Sequence, residues 1–185
     1  MAKKPQHDAI IAVLVAHILE HGFSQTSLRQ LANAADTSDR MLLYYFPDKE
    51  ALMTALMTRL AEDLARQLET ALPADVRLAP AELFRKGATL TIGAELQPYM
   101  QASLDIAALA SRDEEPYARV SKAILAGFLS WIEMRLEGGD ARSKKIQAAM
   151  ILAMIDGLAV VSQGLKKAEI KRAIDGFAEA LEAGD

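Results

Sequence analysis

An all-α fold is predicted for this chain from three observations. Apolar residues recur at steps of three and four over nearly the whole length. Alanine and leucine are abundant, which favours helix, and the breakers Gly22, Pro47, Pro73, Pro80, Gly138 and Gly139 divide the periodic stretches. Two closely spaced capping signals between residues 26 and 41 mark a pair of short helices near the N-terminus. Together they predict a three-helix helix-turn-helix head followed by a longer helical body.

Residues 1–6 are expected to form a mobile arm. From His7 to His21, Ile10, Ile11, Leu14, Val15 and Ile18 share one helical face, and Gly22 is placed to end this helix as its left-handed cap. Thr26 or Ser27 caps the next helix, and Ser27 with Gln30 has capping-box spacing. Its apolar residues Leu28, Leu31 and Ala32 lie together. Residues 34–37 supply turn chemistry, and Ser38 caps a second short helix that ends at Tyr45. This pattern puts Arg29, Thr37, Ser38, Asp39, Arg40 and Tyr44 on a polar side, away from Leu28, Leu31, Met41, Leu42 and Phe46. Such a pair presents its second helix to the major groove of DNA.

Pro47 ends that helix and Asp48 caps a long one, 49–72, with Leu52, Leu56, Leu60, Leu64 and Leu68 at steps of four. Its 24 positions span roughly 36 Å at 1.5 Å per residue. Met53 and Met57 beside the stripe read as core filler. Pro73 and Pro80 bracket a loop, and helices follow at 81–92 and 96–110, separated at Gly93. Here Thr89, Thr91, Gln97, Tyr99, Gln101, Ser103 and Asp105 interrupt the apolar residues, facing either solvent or an internal space. The next helix, 117–136, carries Val120, Ile124, Phe128 and Trp131 on its apolar face.

Gly138 and Gly139 break the chain again, Asp140 caps a helix over 141–165, and a last helix covers 168–181. Between Lys145 and Lys166 the one charged residue is Asp156. That charge near the centre costs about 2.5 to 3.5 kcal/mol in a bilayer, against about 0.3 to 0.6 gained per aliphatic residue, so no membrane span is expected. An all-round apolar helix has to bury two sides, one in its own body and one against a partner. The last helix repeats Ile170, Ile174, Phe177 and Leu181, with Ala173, Gly176 and Ala180 allowing close approach.

At 185 residues, 51% hydrophobic and 25% charged, the composition is that of a globular chain. There is no cysteine, which excludes disulfide scaffolds, thiolate metal sites and cysteine nucleophiles. The apolar run at 10–15 is too short for a secretory signal, and a cytoplasmic protein is expected. Net charge is −4, and within residues 1–46 Lys3, Lys4, Arg29 and Arg40 balance Asp8, Glu20, Asp36 and Asp39. Any hold on nucleic acid therefore rests on a few placed cations and hydroxyl donors rather than on a basic field. His17 and His21 stand at i and i+4 without a third ligand, so no metal and no cofactor is expected. No nucleophile with a base and no phosphate-cradling glycine pattern argues for an enzyme.

Three stretches carry a resemblance: residues 26–32 (Thr-Ser-Leu-Arg-Gln-Leu-Ala), 35–38 (Ala-Asp-Thr-Ser) and 44–52 (Tyr-Tyr-Phe-Pro-Asp-Lys-Glu-Ala-Leu). They resemble the DNA-binding signature of the TetR family of transcriptional repressors. Asp36 stands where that family commonly has glycine, Asp39 where it has a lysine or polar residue, and Leu43 where it has an aromatic. The resemblance implies a DNA-binding domain at 1–48 and a ligand-binding and dimerisation domain at 49–185. It implies a homodimer on double-stranded, palindromic operator DNA, released by a small apolar or amphipathic effector. The DNA-binding candidates are Thr26, Ser27, Arg29, Thr37, Ser38, Asp39, Arg40, Tyr44, Tyr45 and Lys49. Candidate effector contacts are Leu90, Tyr99, Met100, Ser103, Leu104, Phe128, Trp131, Met134 and Asp156. In that family the last two long helices pair across a two-fold axis, which points to Met150, Met154, Leu158, Val161, Ile170, Ile174 and Phe177 as the dimer interface. The alternative is a helical protein-interaction adaptor without an effector.

Overall fold

The computed structural model describes residues 3–24 and 26–183. Nine helices appear among them: α1 (Lys3–His21), α2 (Leu28–Ala34), α3 (Asp39–Tyr45), α4 (Lys49–Ala71), α5 (Pro80–Thr91), α6 (Gln97–Ala110), α7 (Tyr117–Glu133), α8 (Ala141–Val161) and α9 (Lys167–Glu182). Most boundaries lie within a residue or two of the expected ones. The exceptions are instructive. α1 begins at Lys3, so residues 3–6 are helical rather than an arm, while Met1 and Ala2 lie outside the described residues. α7 stops at Glu133, because the backbone at Arg135 and Glu137 turns away to exchange hydrogen bonds with Leu78. That pairing is an isolated parallel bridge between Leu78 and Leu136. α8 stops at Val161, where the Ser162 hydroxyl bonds the Ala159 carbonyl and begins the turn.

The chain forms two compact units. The first comprises Met1–Leu64 with Gln101–Ile124, the second Ala65–Met100 with Leu125–Asp185, so α4, α6 and α7 each give residues to both. This division differs from a boundary after residue 48. In the first unit α1 packs on α2 and α2 on α3. Its buried residues include Leu14, Val15, Ile18, Leu31, Leu42, Leu52 and Leu56 on helices, with Phe23 and Phe46 from the turns that follow α1 and α3. In the second unit α5 packs against α8 and α9. Its core gathers Leu83, Phe84, Ala88, Ile132, Leu136, Ile151, Ile155, Leu158, Ile174 and Ala178. A Cβ at Gly87 would stand 3.0 Å from the Ile155 Cδ1, so α5 lies close against α8 at this position.

A charged group sits inside that second unit. Arg135 is fully buried, with Nε donating to the Leu72 carbonyl at 2.8 Å and Nη1 to the Trp131 carbonyl at 3.0 Å. Nη2 bonds the Glu69 carboxylate, and the guanidinium lies 3.8 Å from the centre of the Trp131 ring. Burial pushes the Arg135 pKa down, and Glu69 beside it pushes back. Among the described residues no helix is long and apolar enough to cross a membrane.

Candidate nucleic-acid interface

The α2–α3 pair is set by short-range bonds. Ser27 Oγ accepts from Gln30 N–H at 3.3 Å while Gln30 Oε1 accepts from Ser27 N–H at 2.8 Å, closing the capping box. α2 ends in a left-handed turn: Asp36 N–H donates to Asn33 O at 3.1 Å, Thr37 N–H to Ala32 O at 2.9 Å, and Asp36 has φ +48°. That is a Schellman arrangement with aspartate where glycine is the easiest fit. Ser38 then caps α3, its Oγ accepting from Met41 N–H at 3.3 Å. Asp48 does the same for α4, accepting from Ala51 N–H at 2.7 Å and leaving Lys49 exposed in the first turn.

On α3, Leu42 is fully buried and fixes which side faces out. Arg40 and Asp39 are exposed, and Tyr44 reaches solvent with 59% of its surface. Tyr45 is half-buried, its ring meeting Tyr44 edge-on at 5.6 Å. Arg29 on α2 and Ser38 are exposed, and Thr37 is half-buried. Met41, expected on the inner side, is 42% exposed, and Leu43 is 39% exposed. On α3 the buried position is Leu42, and Met41 and Leu43, about 100° to either side of it, fall on the flanks.

The hydroxyls differ in what they have left to give. Ser27 and Ser38 act as acceptors in their caps and keep a free proton. Thr26 spends its proton on the Gly22 carbonyl at 2.7 Å.

Asp105 was not singled out as a site residue by sequence reasoning. From α6, its Oδ2 accepts from both Phe23 N–H at 2.9 Å and Ser24 N–H at 3.0 Å. It thereby holds the turn between α1 and α2 from 82 residues away. Gly22 lies against the same oxygen, with φ +88° and room for a Cβ 3.4 Å from it. Tyr117 of α7 meets Phe23 edge-on at 6.0 Å, and burial followed by Glu114 raises its phenol. Glu50 pairs with Arg119 at 3.0 Å, so the acid next to Lys49 is met by a cation. No local pattern signals contacts of such separation.

The effector candidates are divided between the two units. Ser103, Met134 and Asp156 are exposed, and Ser103 and Leu104 belong to the first unit while the others belong to the second. Trp131 is engaged by its own neighbours, its indole N–H donating to Glu69 at 3.1 Å. Leu90, Tyr99 and Phe128 are half-buried and Met100 is buried. Of the dimer candidates, Leu158 and Ile174 lie in the core of the second unit, at 1% and 5% exposure. Met154 and Ile170 are half-buried against that core. Met150, Val161 and Phe177 face outward, joined by Ile146, Val160 and Leu165, all at least 39% exposed. His17 and His21 stack at 4.3 Å, and among the described residues no group of three or more His, Asp or Glu could hold a metal ion.

Residues 10–56, which contain the α2–α3 pair and its caps, match the sequence profile described as bacterial regulatory proteins, tetR family. The chain is similar to the HTH-type transcriptional regulator RutR of Escherichia coli O157:H7, 27% identical over 78% of this chain and 59% of that protein. It is also similar to the probable HTH-type transcriptional regulator YttP of Bacillus subtilis, 39% identical over 35% of this chain and 31% of that protein. The chain thus spans less than two thirds of the length of these relatives. Among solved structures, a transcriptional regulator from Rhodococcus sp. Rha1 superposes with a TM-score of 0.77 at 20% identity, over 96% of both chains. That likeness shows the fold.

Proposed function

The chain belongs to the TetR family of bacterial regulatory proteins, and on that premise we propose that it is a transcriptional repressor. It binds a palindromic operator as a homodimer and is released by a small apolar or amphipathic effector. The observation that carries this reading is the capped α2–α3 pair, which buries Leu42 and turns Arg40 and Tyr44 outward. Arg40 contacts a base edge, with guanine the best match for a guanidinium. Ser27, Ser38, Tyr44, Tyr45 and Lys49 position phosphates, the two serines through their free protons, with Arg29, Thr37 and Asp39 around them. Thr26 reaches a phosphate only by giving up its bond to Gly22.

The homodimer reading is supported by the outward apolar strip of α8 and α9 at Ile146, Met150, Val160, Val161, Leu165 and Phe177. The effector reading keeps Leu90, Tyr99, Met100 and Phe128 as contacts in the second unit. Selection of operator from random double-stranded DNA tests the proposal. An enriched palindrome with half-sites one helical turn apart, roughly 34 Å, is the expected result. Arg40→Ala should then cost about 1 to 3 kcal/mol on that operator and little on random DNA. No enrichment overturns the proposal, and equal losses on both DNAs make Arg40 a phosphate contact only.

A further inference from the structure

α3 exposes more apolar surface than a solvent-facing helix of seven residues has reason to. Met41, Leu43 and Tyr44 are 42%, 39% and 59% exposed, in a run with the exposed Asp39 and Arg40. Successive residues turn by about 100°, so Leu43 stands about 60° to one side of Arg40 and Tyr44 about 40° to the other. Leu43 also lies about 4.5 Å further along the helix axis than Arg40, close to the 3.4 Å spacing of bases along a strand. Two side chains so placed read neighbouring base steps.

Of the four bases, thymine alone offers the major groove an apolar group, its C5-methyl; the others present donors and acceptors that an isobutyl side chain would leave unpaired. Resting on the reading that α3 enters the major groove, we propose that Leu43 is a specificity-determining residue. It packs on the C5-methyl of a thymine in the base step next to the guanine met by Arg40. The half-site then carries this thymine at a fixed offset from that guanine, and the preference follows the methyl rather than any hydrogen bond.

The test uses the full-length protein and the operator enriched from random DNA, with uracil replacing the thymine at that step. Uracil keeps every donor and acceptor and lacks only the methyl. For the unsubstituted protein, one uracil should weaken binding about fourfold, the affinity equivalent of one buried methyl group, and uracil in both half-sites about fifteenfold. In Leu43→Ala the thymine-to-uracil ratio should fall to about one, while Leu43→Met should keep part of it. Leu43 is exposed and Ala is a strong helix former, so the variant should fold; circular dichroism checks this. A selected operator with no thymine at that step, an equal affinity for both DNAs, or a ratio that survives in Leu43→Ala overturns the inference and leaves the DNA-binding reading standing. A selection that enriches no sequence overturns both.

Discussion

Removing the Asp105 carboxylate should loosen the head at the turn between α1 and α2. The carboxylate takes two backbone N–H groups at 2.9 and 3.0 Å, from Phe23 and Ser24. Bonds to a charged acceptor contribute about 1.5 to 3 kcal/mol each. Ser24 is exposed and finds water readily, whereas Phe23 is 4% exposed and does not, so the sum is not fully lost. Asp105→Ala should therefore cost about 2 to 4 kcal/mol, and Asp105→Asn about 1, because its amide oxygen still accepts both bonds without the charge. Urea unfolding followed by circular dichroism measures the cost, and amide hydrogen exchange locates it. Exchange at Phe23 and Ser24 should accelerate at least tenfold in Asp105→Ala, more than at the α1 and α2 interior amides. A cost below about 0.5 kcal/mol with unchanged exchange at those two amides would refute the reasoning.

Arg135→Ala should destabilise by about 2 to 5 kcal/mol, since it strands the Leu72 and Trp131 carbonyls and empties the space of a fully buried side chain, while the half-exposed Glu69 keeps its bond from Trp131. Glu69→Gln should cost less than half of that, because the buried guanidinium keeps both carbonyls; the order of the two urea midpoints checks the claim. Val161→Asp, at a position 49% exposed, should convert a dimer to monomer in light scattering, and an unchanged mass would place the interface elsewhere. Asp156 reaches solvent at its edge, yet the groups crowded round it desolvate it and push its carboxyl pKa up. A folded-state pKa above the unfolded value means stability is lost as pH rises through it, so Asp156→Asn should be the more stable protein at pH 7. That advantage should vanish below about pH 4, and a gap that widens on acidification would contradict the assignment.

The head was legible because its determinants are local. A serine three residues before a glutamine, a serine before α3, an aspartate before α4 and Gly22 after α1 each act within one turn of chain, and all four behave as the pattern predicts. The same local reading misplaced Met41, because seven residues are too few for periodicity to tell the flank of a helix from its inner side. α8 and α9 were harder still. With apolar residues nearly all round α8, the sequence carries no mark that sends Leu158 inward and Val161 outward; that choice is made by contact with α5. The partners of Arg135 and Asp105 were not legible for another reason. A charged residue reads as solvent-exposed until its partners, 63 to 82 residues away, are brought up to it.

The left-handed turn at Asp36 and the serine caps on either side of it have a further effect on how such a chain changes over generations. The angle between α2 and α3 is held by main-chain bonds at residues 32, 33, 36 and 37 and by the hydroxyls of Ser27 and Ser38, none of which lies among residues 39, 40, 43 and 44. Scaffold and lettering are therefore written in different residues. On the proposed reading, substitutions at the exposed Asp39, Arg40 and Leu43 would alter what the helix reads while leaving these caps and main-chain bonds in place, so duplicated copies could drift to new targets one side chain at a time.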